Sequence, residues 1–286
     1  MMAQAEILQP GLYSSIQDLG RYGYREFGVP TSGAMDRQAA KVANLLLKNE
    51  PDAAVMEITL QGPKMAFSGA VQIVITGAQL SPELDGEALQ NNQVVQVAAG
   101  QVLSFGRRKY GYRAYLAIKG GFQTDAVLDS RSWCDGVTPH SRLERGMKLP
   151  FLESKREPVS KFSSVKVDEH ITSEVVEAFR GPEFDLLQPS EKEALQKWHF
   201  SAAKESNRMG IQLQEKLENN LKPILTGPVL PGTVQLTPSG TLIALMRDGQ
   251  TTGGYPSILQ FTETGINTLV QKLPGEKLRI KLVDYS

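Results

Sequence analysis

The sequence "LIALMRDGQTTGGYP", residues 242–256, decides the fold, because an apolar strand opens there into a polar segment rich in glycine. A two-residue Asp-Gly hairpin would show alternating apolar residues on both sides of its turn. Here the pair Asp248-Gly249 is followed by a glutamine, two threonines and two glycines. The segment is therefore either an unusual loop or a surface that holds a ligand.

The first half of the chain contains a weaker form of this pattern. The stretch "AYLAIKGGF" (114–122) also runs from an apolar strand to Gly-Gly and an aromatic residue. Two domains of one kind would explain the repeat, and so would chance. The run "PFLESKREPVSKFSS" (150–164) is rich in Pro, Ser and charge, which is typical of an interdomain linker. We therefore divide the chain into a first domain of residues 1–160 and a second of residues 161–286.

Strand signals dominate both predicted domains. Short runs rich in β-branched and aromatic residues predict strands at 71–76, 94–98, 102–105, 113–118, 233–236, 241–246 and 278–283. Asp85-Gly86, within residues 83–89, suits the positive φ angles of a type I′ hairpin turn. Many short strands with regular turns favour a barrel or sandwich over alternating β-α-β units. The predicted fold class is mainly β with a few helices, and each domain is mainly antiparallel.

Three segments have the apolar periodicity of a helix, at 33–49, 190–198 and 264–273. Ser32 is predicted to cap the first helix, with Asp36 in its first turn, where the helix dipole favours an acid. Ser190 and Glu193 have capping-box spacing at the start of the second helix. The third helix is predicted to stop before Pro274.

Composition excludes several classes of partner. Lys and Arg total 31 and Asp and Glu total 31, so neither nucleic acid nor an anionic membrane is expected as the main partner. No apolar stretch approaches the length of a membrane span, and the opening residues lack the pattern of a secretory signal. Cys134 is the only cysteine, so no internal disulfide can form and the cytoplasm is the expected compartment.

No standard catalytic signature is present: neither a phosphate-binding loop, nor a nucleophile elbow, nor a zinc-binding His-Glu-x-x-His. The histidines His140, His170 and His199 lack paired spacing, so no metal site is expected. Cys134 has no histidine nearby in sequence and is interpreted as a lone thiol rather than a nucleophile. Any catalysis is therefore expected to rest on positioning and electrostatics.

The segment "SIQDLGRYGYREFGVPTSGAMD" (15–36) carries four glycines and leads into the first predicted helix. A glycine-rich entry to a helix N-terminus is a ready anion site, because free N–H groups and the helix dipole point outward. The candidate anion-binding residues are Arg21, Ser32, Gly33 and Asp36. The alternative is a long ordered loop with an ordinary cap, which is favoured on this segment alone.

Two later segments supply further candidates. In "ESNRMGIQL" (205–213), Arg208 beside Asn207 could fork onto a carboxylate or phosphate, and a structural ion pair is an equally good interpretation. After residue 249, glycine backbone and polar side chains provide donors and acceptors. The candidates there are Gln250, Thr251, Thr252, Gly253, Gly254 and Tyr255. Asp248 is either an acid–base group or a turn residue.

The segment "EITLQGP" (57–63) begins with Glu57 ahead of an otherwise apolar run. This glutamate either faces a site or caps the edge of a sheet. The second interpretation is slightly favoured, because charged residues are rarely fully buried.

Six segments, in their order along the chain, resemble the allophanate hydrolase subunit 2-like family. They are "GLYSSIQDLGRYGYREFGVPTSGAMD", "ANLLLKNEPDAAVMEITLQGP", "VITGAQL", "RAYLAIKGGF", "SNRMGIQL" and "QTTGGYP". This family is also called biotin-dependent carboxyltransferase-like or KipI-antagonist, and it includes the C component of bacterial 5-oxoprolinase. The resemblance extends from Gly11 to about Val283.

The resemblance implies two cyclophilin-like β-barrel domains that correspond to subdomains A and B of a carboxyltransferase region. It also implies two partners, which are the A component and the B component of 5-oxoprolinase. The B component is a KipI-like protein and supplies the remaining subdomains. A working site would then be shared with another polypeptide. Such a site would fit a chain that has many ligand-type loops and no complete catalytic set.

The activity implied is the ATP-dependent cleavage of 5-oxo-L-proline to L-glutamate by the three components together, with this chain inactive alone. Arg21 and the 32–36 cap would bind an anion, and the loop 250–255 would hold the amide or carboxylate. Arg208 and Asp248 are the candidate catalytic residues. One alternative is a carboxyltransferase component that handles carboxybiotin and urea or a similar amide, for which biotin would be the cofactor. Another is a non-enzymatic regulator that binds a KipI-like protein.

The segment 131–150 departs from the family pattern. It lacks the glycine-rich stretch expected after "SRS" (130–132), so its role is left open.

Overall fold

The computed structural model describes residues 1–154 and 169–284 and divides the chain into two compact units. Unit 1 comprises Met1–Arg21 and Ser32–Ile171, and unit 2 comprises Tyr22–Thr31 and Thr172–Ser286. Strands make up most of the described regular structure, which confirms the mainly β fold class. The predicted boundary near residue 160 lies outside the described residues and stays a prediction, as does most of the predicted linker.

Unit 1 is built from two antiparallel sheets and one α-helix. Its strands are β1 (Met2–Gln9), β2 (Tyr13–Gln17), β3 (Val55–Thr59), β4 (Lys64–Phe67), β5 (Val71–Gln79), β6 (Pro82–Leu84), β7 (Glu87–Ala88), β8 (Val95–Val97), β9 (Val102–Phe105), β10 (Tyr110–Ile118) and β11 (Lys148–Leu152). One sheet has the order β11-β1-β4-β9-β6-β7, and the other has the order β2-β3-β10-β5-β8. The predicted hairpin is confirmed, because Asp85 and Gly86 have φ angles of 51° and 84° between β6 and β7.

The sheet that contains β10 is covered on both faces. Ala114, Leu116 and Ile118 face the main core of the unit, whereas Tyr115 and Ala117 face a second cluster formed with the helix α1 (Arg37–Leu46). Successive strand residues point to opposite faces, so a doubly buried strand reads as a continuous apolar run. The helix presents alanines to the sheet, which allows a close approach of its backbone.

The start of α1 differs from the prediction. The helix begins at Arg37 with Asp36 as its N-cap, and the Asp36 side chain accepts a hydrogen bond from the Ala39 N–H. Ser32 was the wrong choice of cap, because its φ of 56° and the φ of 92° at Gly33 place it in a turn four residues earlier. Its hydroxyl accepts a hydrogen bond from Arg21 instead.

Unit 2 contains a seven-stranded sheet, a two-stranded sheet and two α-helices. Its elements are β12 (Val175–Arg180), α2 (Pro189–Lys197), β13 (Phe200–Ser201), β14 (Gly210–Gln212), β15 (Gly227–Pro228), β16 (Thr233–Leu236), β17 (Leu242–Leu245), β18 (Thr252–Gly253), β19 (Ser257–Phe261), α3 (Glu263–Leu269) and β20 (Lys277–Leu282). The large sheet has the order β13-β20-β12-β19-β16-β17-β14, in which β12 and β20 are parallel. The small sheet pairs β15 with β18.

Two helix ends in unit 2 also differ from the prediction. The capping box of α2 does not use Ser190 and Glu193, because Pro189 already occupies the first turn and the Gln188 N–H donates to Glu191 at 2.7 Å. The helix α3 ends at Leu269, earlier than predicted. Among the described residues, no helix is long and apolar enough to cross a membrane.

The substitution Gly77→Ala should lower the free energy of unfolding by about 3 kcal/mol. Gly77 has a φ of 75°, and a Cβ there would lie 2.5 Å from the Arg113 carbonyl oxygen in the neighbouring strand. The matched control is Gly86→Ala, with a φ of 84° and open space around the added carbon. The control should lose about 1 kcal/mol from the backbone angle alone. Equal losses in urea denaturation would contradict the packing argument.

Candidate functional site

The N-terminus of α1 lies in a buried polar network centred on Glu57. Glu57 Oε2 accepts hydrogen bonds from the Met35 N–H at 2.7 Å and from the Tyr115 hydroxyl at 2.8 Å. The Tyr115 oxygen in turn accepts from the Asp36 N–H at 2.7 Å. A buried carboxylate is tolerated only when hydrogen bonds replace its hydration, and this network provides them.

Asp36 extends the network to the end of unit 1. Its Oδ1 accepts the capping hydrogen bond from Ala39, and its Oδ2 lies 2.7 Å from Nε2 of His170. Both side chains are buried. Asp36 therefore joins the helix start to the short 3-10 turn at residues 169–171, and its carboxylate oxygens are occupied by the protein itself.

Tyr115 stays protonated in this environment. Burial raises the pKa of its hydroxyl well above the usual value, and the negative charges of Glu57 and Asp36 raise it further. The hydroxyl can therefore donate to Glu57 throughout the physiological pH range. The assignment of Glu57 to a sheet edge is wrong, because β3 lies between β2 and β10.

The remaining candidates of the first segment hold its loop in place. The Arg21 guanidinium is buried and donates to Ser32 Oγ at 3.0 Å and to the carbonyls of Ser132 and Val127. Gly33 packs so closely on the backbone that a Cβ would lie 2.8 Å from the Gly20 nitrogen. The anion-binding role of Arg21, Ser32, Gly33 and Asp36 stays a prediction, and the contacts described are internal ones.

The candidate catalytic pair lies in unit 2 and forms a fork. Arg208 Nε and Nη2 donate to the two carboxylate oxygens of Asp248 at 2.7 and 3.1 Å, and both side chains are almost fully buried. The Asp248 N–H also donates to the Arg208 carbonyl at 2.9 Å. This geometry is that of a structural ion pair. Next to it, Asn207 Oδ1 accepts from the N–H groups of Met209 and Gly210.

The loop after Asp248 uses most of its backbone internally. The carbonyl of Thr251 accepts from the Val229 N–H and that of Gly254 from the Ile224 N–H, while Thr252 and Gly253 form β18. The carbonyl of Tyr255 accepts from Gln235. The side chains that remain exposed belong to Gln250, Thr252 and Tyr255.

Arg25 is a loop contact that sequence reasoning missed. Its guanidinium donates to the carbonyl of Val229 and to that of Thr251 at 3.5 Å, so it fixes residues 22–31 to the loop within unit 2. Partial burial lowers its pKa. Its signal in the sequence was only a basic residue among glycines.

The structure therefore sorts the candidates into two groups. Arg21, Ser32, Gly33 and Asp36 lie in unit 1, and Asn207, Arg208, Asp248 and residues 250–255 lie in unit 2. Sequence reasoning missed Tyr115 and His170, because only the fold brings them to Asp36. Within residues 1–154 and 169–284, no three His, Cys, Asp or Glu side chains are grouped as metal ligands. Cys134 is buried.

Comparison with known proteins agrees with this architecture. The family model "Carboxyltransferase domain, subdomain A and B" matches residues 27–282. The chain belongs to this family. The resemblance predicted from the six motifs is thereby confirmed.

Relatives of this carboxyltransferase-domain chain differ in length. It is 33% identical to the 5-oxoprolinase C component of Escherichia coli (strain K12), over 96% of this chain and 89% of the relative. The solved structure of TTHA0988 is 26% identical with a TM-score of 0.87, and this chain spans 98% of itself and 56% of that chain. The urea carboxylase of Kluyveromyces lactis is 25% identical with a TM-score of 0.86, and here the chain spans 98% of itself and 27% of the structure.

The substitution Tyr115→Phe should lower the free energy of unfolding by about 2 kcal/mol, because it removes a partner from both Glu57 and the Asp36 N–H. The control Tyr110→Phe lies on the same strand, and no described residue hydrogen-bonds to its hydroxyl, so its loss should be under about 0.5 kcal/mol. Similar losses in urea denaturation would contradict the network.

The same tyrosine variant also tests a pH dependence. The raised pKa of Tyr115 means that its stabilising contribution is complete below the unfolded value of about 10 and is lost as the pH rises through the folded pKa. Stability should therefore fall above pH 10, and fall less steeply in Tyr115→Phe. Denaturation at a series of pH values from about 8 to about 11 measures both slopes; parallel curves would contradict the shifted pKa.

Arg208→Ala and Asp248→Ala should each cost about 3 kcal/mol, because each leaves a buried charge without its partner. The double variant should lose about 2 kcal/mol less than the sum. The matched control is the exposed pair Lys281 and Glu177, 3.2 Å apart, whose coupling should be under about 1 kcal/mol. Equal coupling in the two thermodynamic cycles would show that the fork is energetically unimportant.

Proposed function

We propose that this chain is the C component of an ATP-dependent 5-oxoprolinase that cleaves 5-oxo-L-proline to L-glutamate together with the A and B components. The B component is the KipI-like partner in this proposal. The observation that carries it is the match over 89% of the length of the E. coli relative, which leaves little of that protein unaccounted for. The match to the K. lactis urea carboxylase covers only 27% of that chain.

The chemistry calls for more than this chain provides. An amide carbonyl resists attack by water, and phosphorylation of its oxygen by ATP creates a leaving group. Stabilising the charge that develops requires cations and N–H donors aimed at the reacting atoms. In this chain Arg21 and Arg208 are engaged with internal partners, which favours an accessory role for the chain and an active site completed by the companion proteins.

The loop 250–255 is our proposed contact with the amide or carboxylate. Its exposed side chains, Gln250, Thr252 and Tyr255, supply hydrogen-bonding groups, while its carbonyls are held by the protein. The proposed roles of Arg208 and Asp248 are to position this loop through their buried fork. ATP is the cofactor of the complex in this proposal, and Ser32, Gly33 and Asp36 are kept as candidates for an anion-binding contact.

A second candidate is supported by the solved structures. A chain that superimposes on the K. lactis urea carboxylase with a TM-score of 0.86 has the architecture of a carboxyltransferase component. In that role the chain would handle carboxybiotin and urea or a similar amide, with biotin as the cofactor. A substrate panel separates the two candidates.

The purified chain should show no 5-oxo-L-proline-dependent ATP hydrolysis, and the mixture of all three components should hydrolyse ATP and release L-glutamate. Phosphate release and glutamate formation are measured with and without 5-oxo-L-proline, and urea with carboxybiotin is tested in parallel. The variant Gln250→Ala should lower kcat/KM about tenfold with an unchanged melting temperature. The exposed Gln90→Ala is the matched control and should have no effect.

The contradicting outcomes are distinct. A full mixture that is inactive on 5-oxo-L-proline but transfers carboxyl groups to urea would favour the second candidate. An inactive mixture in which the chain binds the KipI-like protein tightly would favour a regulatory protein.

A further inference from the structure

The segment 123–150, which includes the stretch that departs from the family pattern, forms a cavity in unit 1. The cavity has a volume of about 310 Å³, and the described residues that line it all lie between positions 123 and 150. Small-molecule sites typically have volumes of about 300–1,000 Å³, so this one suits a compact ligand. It lies in the unit that does not contain the loop 250–255.

One wall of the cavity is non-polar and partly aromatic. Trp133 is buried, and its ring centroid lies 5.4 Å from that of the exposed His140. Leu149 and Met147 continue this wall. Aromatic and aliphatic surfaces of this kind gain free energy by covering a compact ring.

The wall is fixed by hydrogen bonds of the protein. Thr138 Oγ1 accepts from the Cys134 N–H at 2.8 Å and donates to the His140 carbonyl at 2.6 Å. The backbone around Trp133 and His140 is therefore ordered by short-range contacts. A ligand that enters such a preformed site loses less free energy to ordering the protein.

Three polar groups on the lining have spare capacity. Thr124 is buried, and its Oγ1 has no hydrogen-bond partner among the described residues, which is a costly state for a buried hydroxyl. Lys148 and Asp125 are exposed and line the same cavity, and neither forms an ion pair with another part of the described chain. The cavity thus offers a hydroxyl, a cation and a carboxylate around a non-polar wall.

We propose that this cavity binds a small cyclic amide that carries a carboxylate. The ring would cover Trp133, the ligand carboxylate would pair with Lys148, and its amide N–H would donate to Asp125. The Thr124 hydroxyl would donate to the amide carbonyl and so gain its missing partner. The choice of 5-oxo-L-proline as the ligand to test rests on the proposed function, whereas the chemical class follows from the lining.

Binding is measured on the full chain without companion proteins. The chain has two tryptophans, so Trp198→Phe, at a half-exposed position in unit 2, leaves Trp133 as the sole indole reporter. Titration with 5-oxo-L-proline should give a saturable change in fluorescence, and calorimetry measures the same binding without an optical probe. The analogues 2-pyrrolidinone, which lacks the carboxylate, and cyclopentanecarboxylate, which lacks the amide, should each bind at least about tenfold more weakly.

Three variants link the binding to the cavity. Lys148→Gln should weaken binding about tenfold, and the matched control Lys41→Gln, an exposed lysine on α1, should not change it. Thr124→Val should also weaken binding while leaving the melting temperature unchanged or raised, because the hydroxyl has no partner to lose among the described residues. Gln250→Ala should bind as the unmodified chain does, because its loop lies in unit 2.

The proposal is overturned if neither fluorescence nor calorimetry detects saturable binding up to millimolar 5-oxo-L-proline. It is also overturned if Gln250→Ala abolishes binding and Lys148→Gln does not. An active three-component mixture combined with no binding to the chain would reject the cavity and leave the proposed function intact. Binding to the chain combined with an inactive mixture would support the cavity and reject the proposed function.

Discussion

The buried carboxylate of Glu57 is the constraint on which unit 1 depends. A charge placed in the middle of a sheet must be hydrogen-bonded, and the donors here are the Met35 N–H and the Tyr115 hydroxyl. Tyr115 also accepts from Asp36, whose carboxylate caps α1 and contacts His170. The helix start, strands β3 and β10 and the end of the unit are therefore fixed together, because a shift of any one would leave a buried polar atom without its partner.

Unit 2 uses the same physical solution at a smaller scale. Asp248 binds both nitrogens of the Arg208 fork, and the loop that follows is held through the carbonyls of Thr251 and Gly254. Bidentate pairs of this kind define orientation as well as distance. In both units the conspicuous charged residues of the sequence stabilise the loops, and the exposed side chains on those loops are left to meet a ligand or a partner.

Local rules predicted much of the fold. The Asp85-Gly86 turn and the strands between residues 71 and 118 follow from φ preferences and apolar patterning, which act over a few residues. The helix caps were less predictable, because Ser32 and Asp36 are both good capping residues by composition. The choice was made by the left-handed backbone at Ser32 and by its contact with the buried Arg21, which comes from another part of the loop.

The sequence by itself determined the mainly β class, the family and the polar segments that carry the candidate residues, because these are properties of neighbouring residues and ordered motifs. Only the tertiary structure decided what those residues contact. Glu57 lies 58 positions from Tyr115, and Asp36 lies 134 positions from His170. Hydrogen bonds over such separations depend on the pairing of strands and the packing of α1, and no local pattern specifies them. The cavity along residues 123–150 was likewise decided by folding, since its lining residues gather only once β11 has joined the sheet.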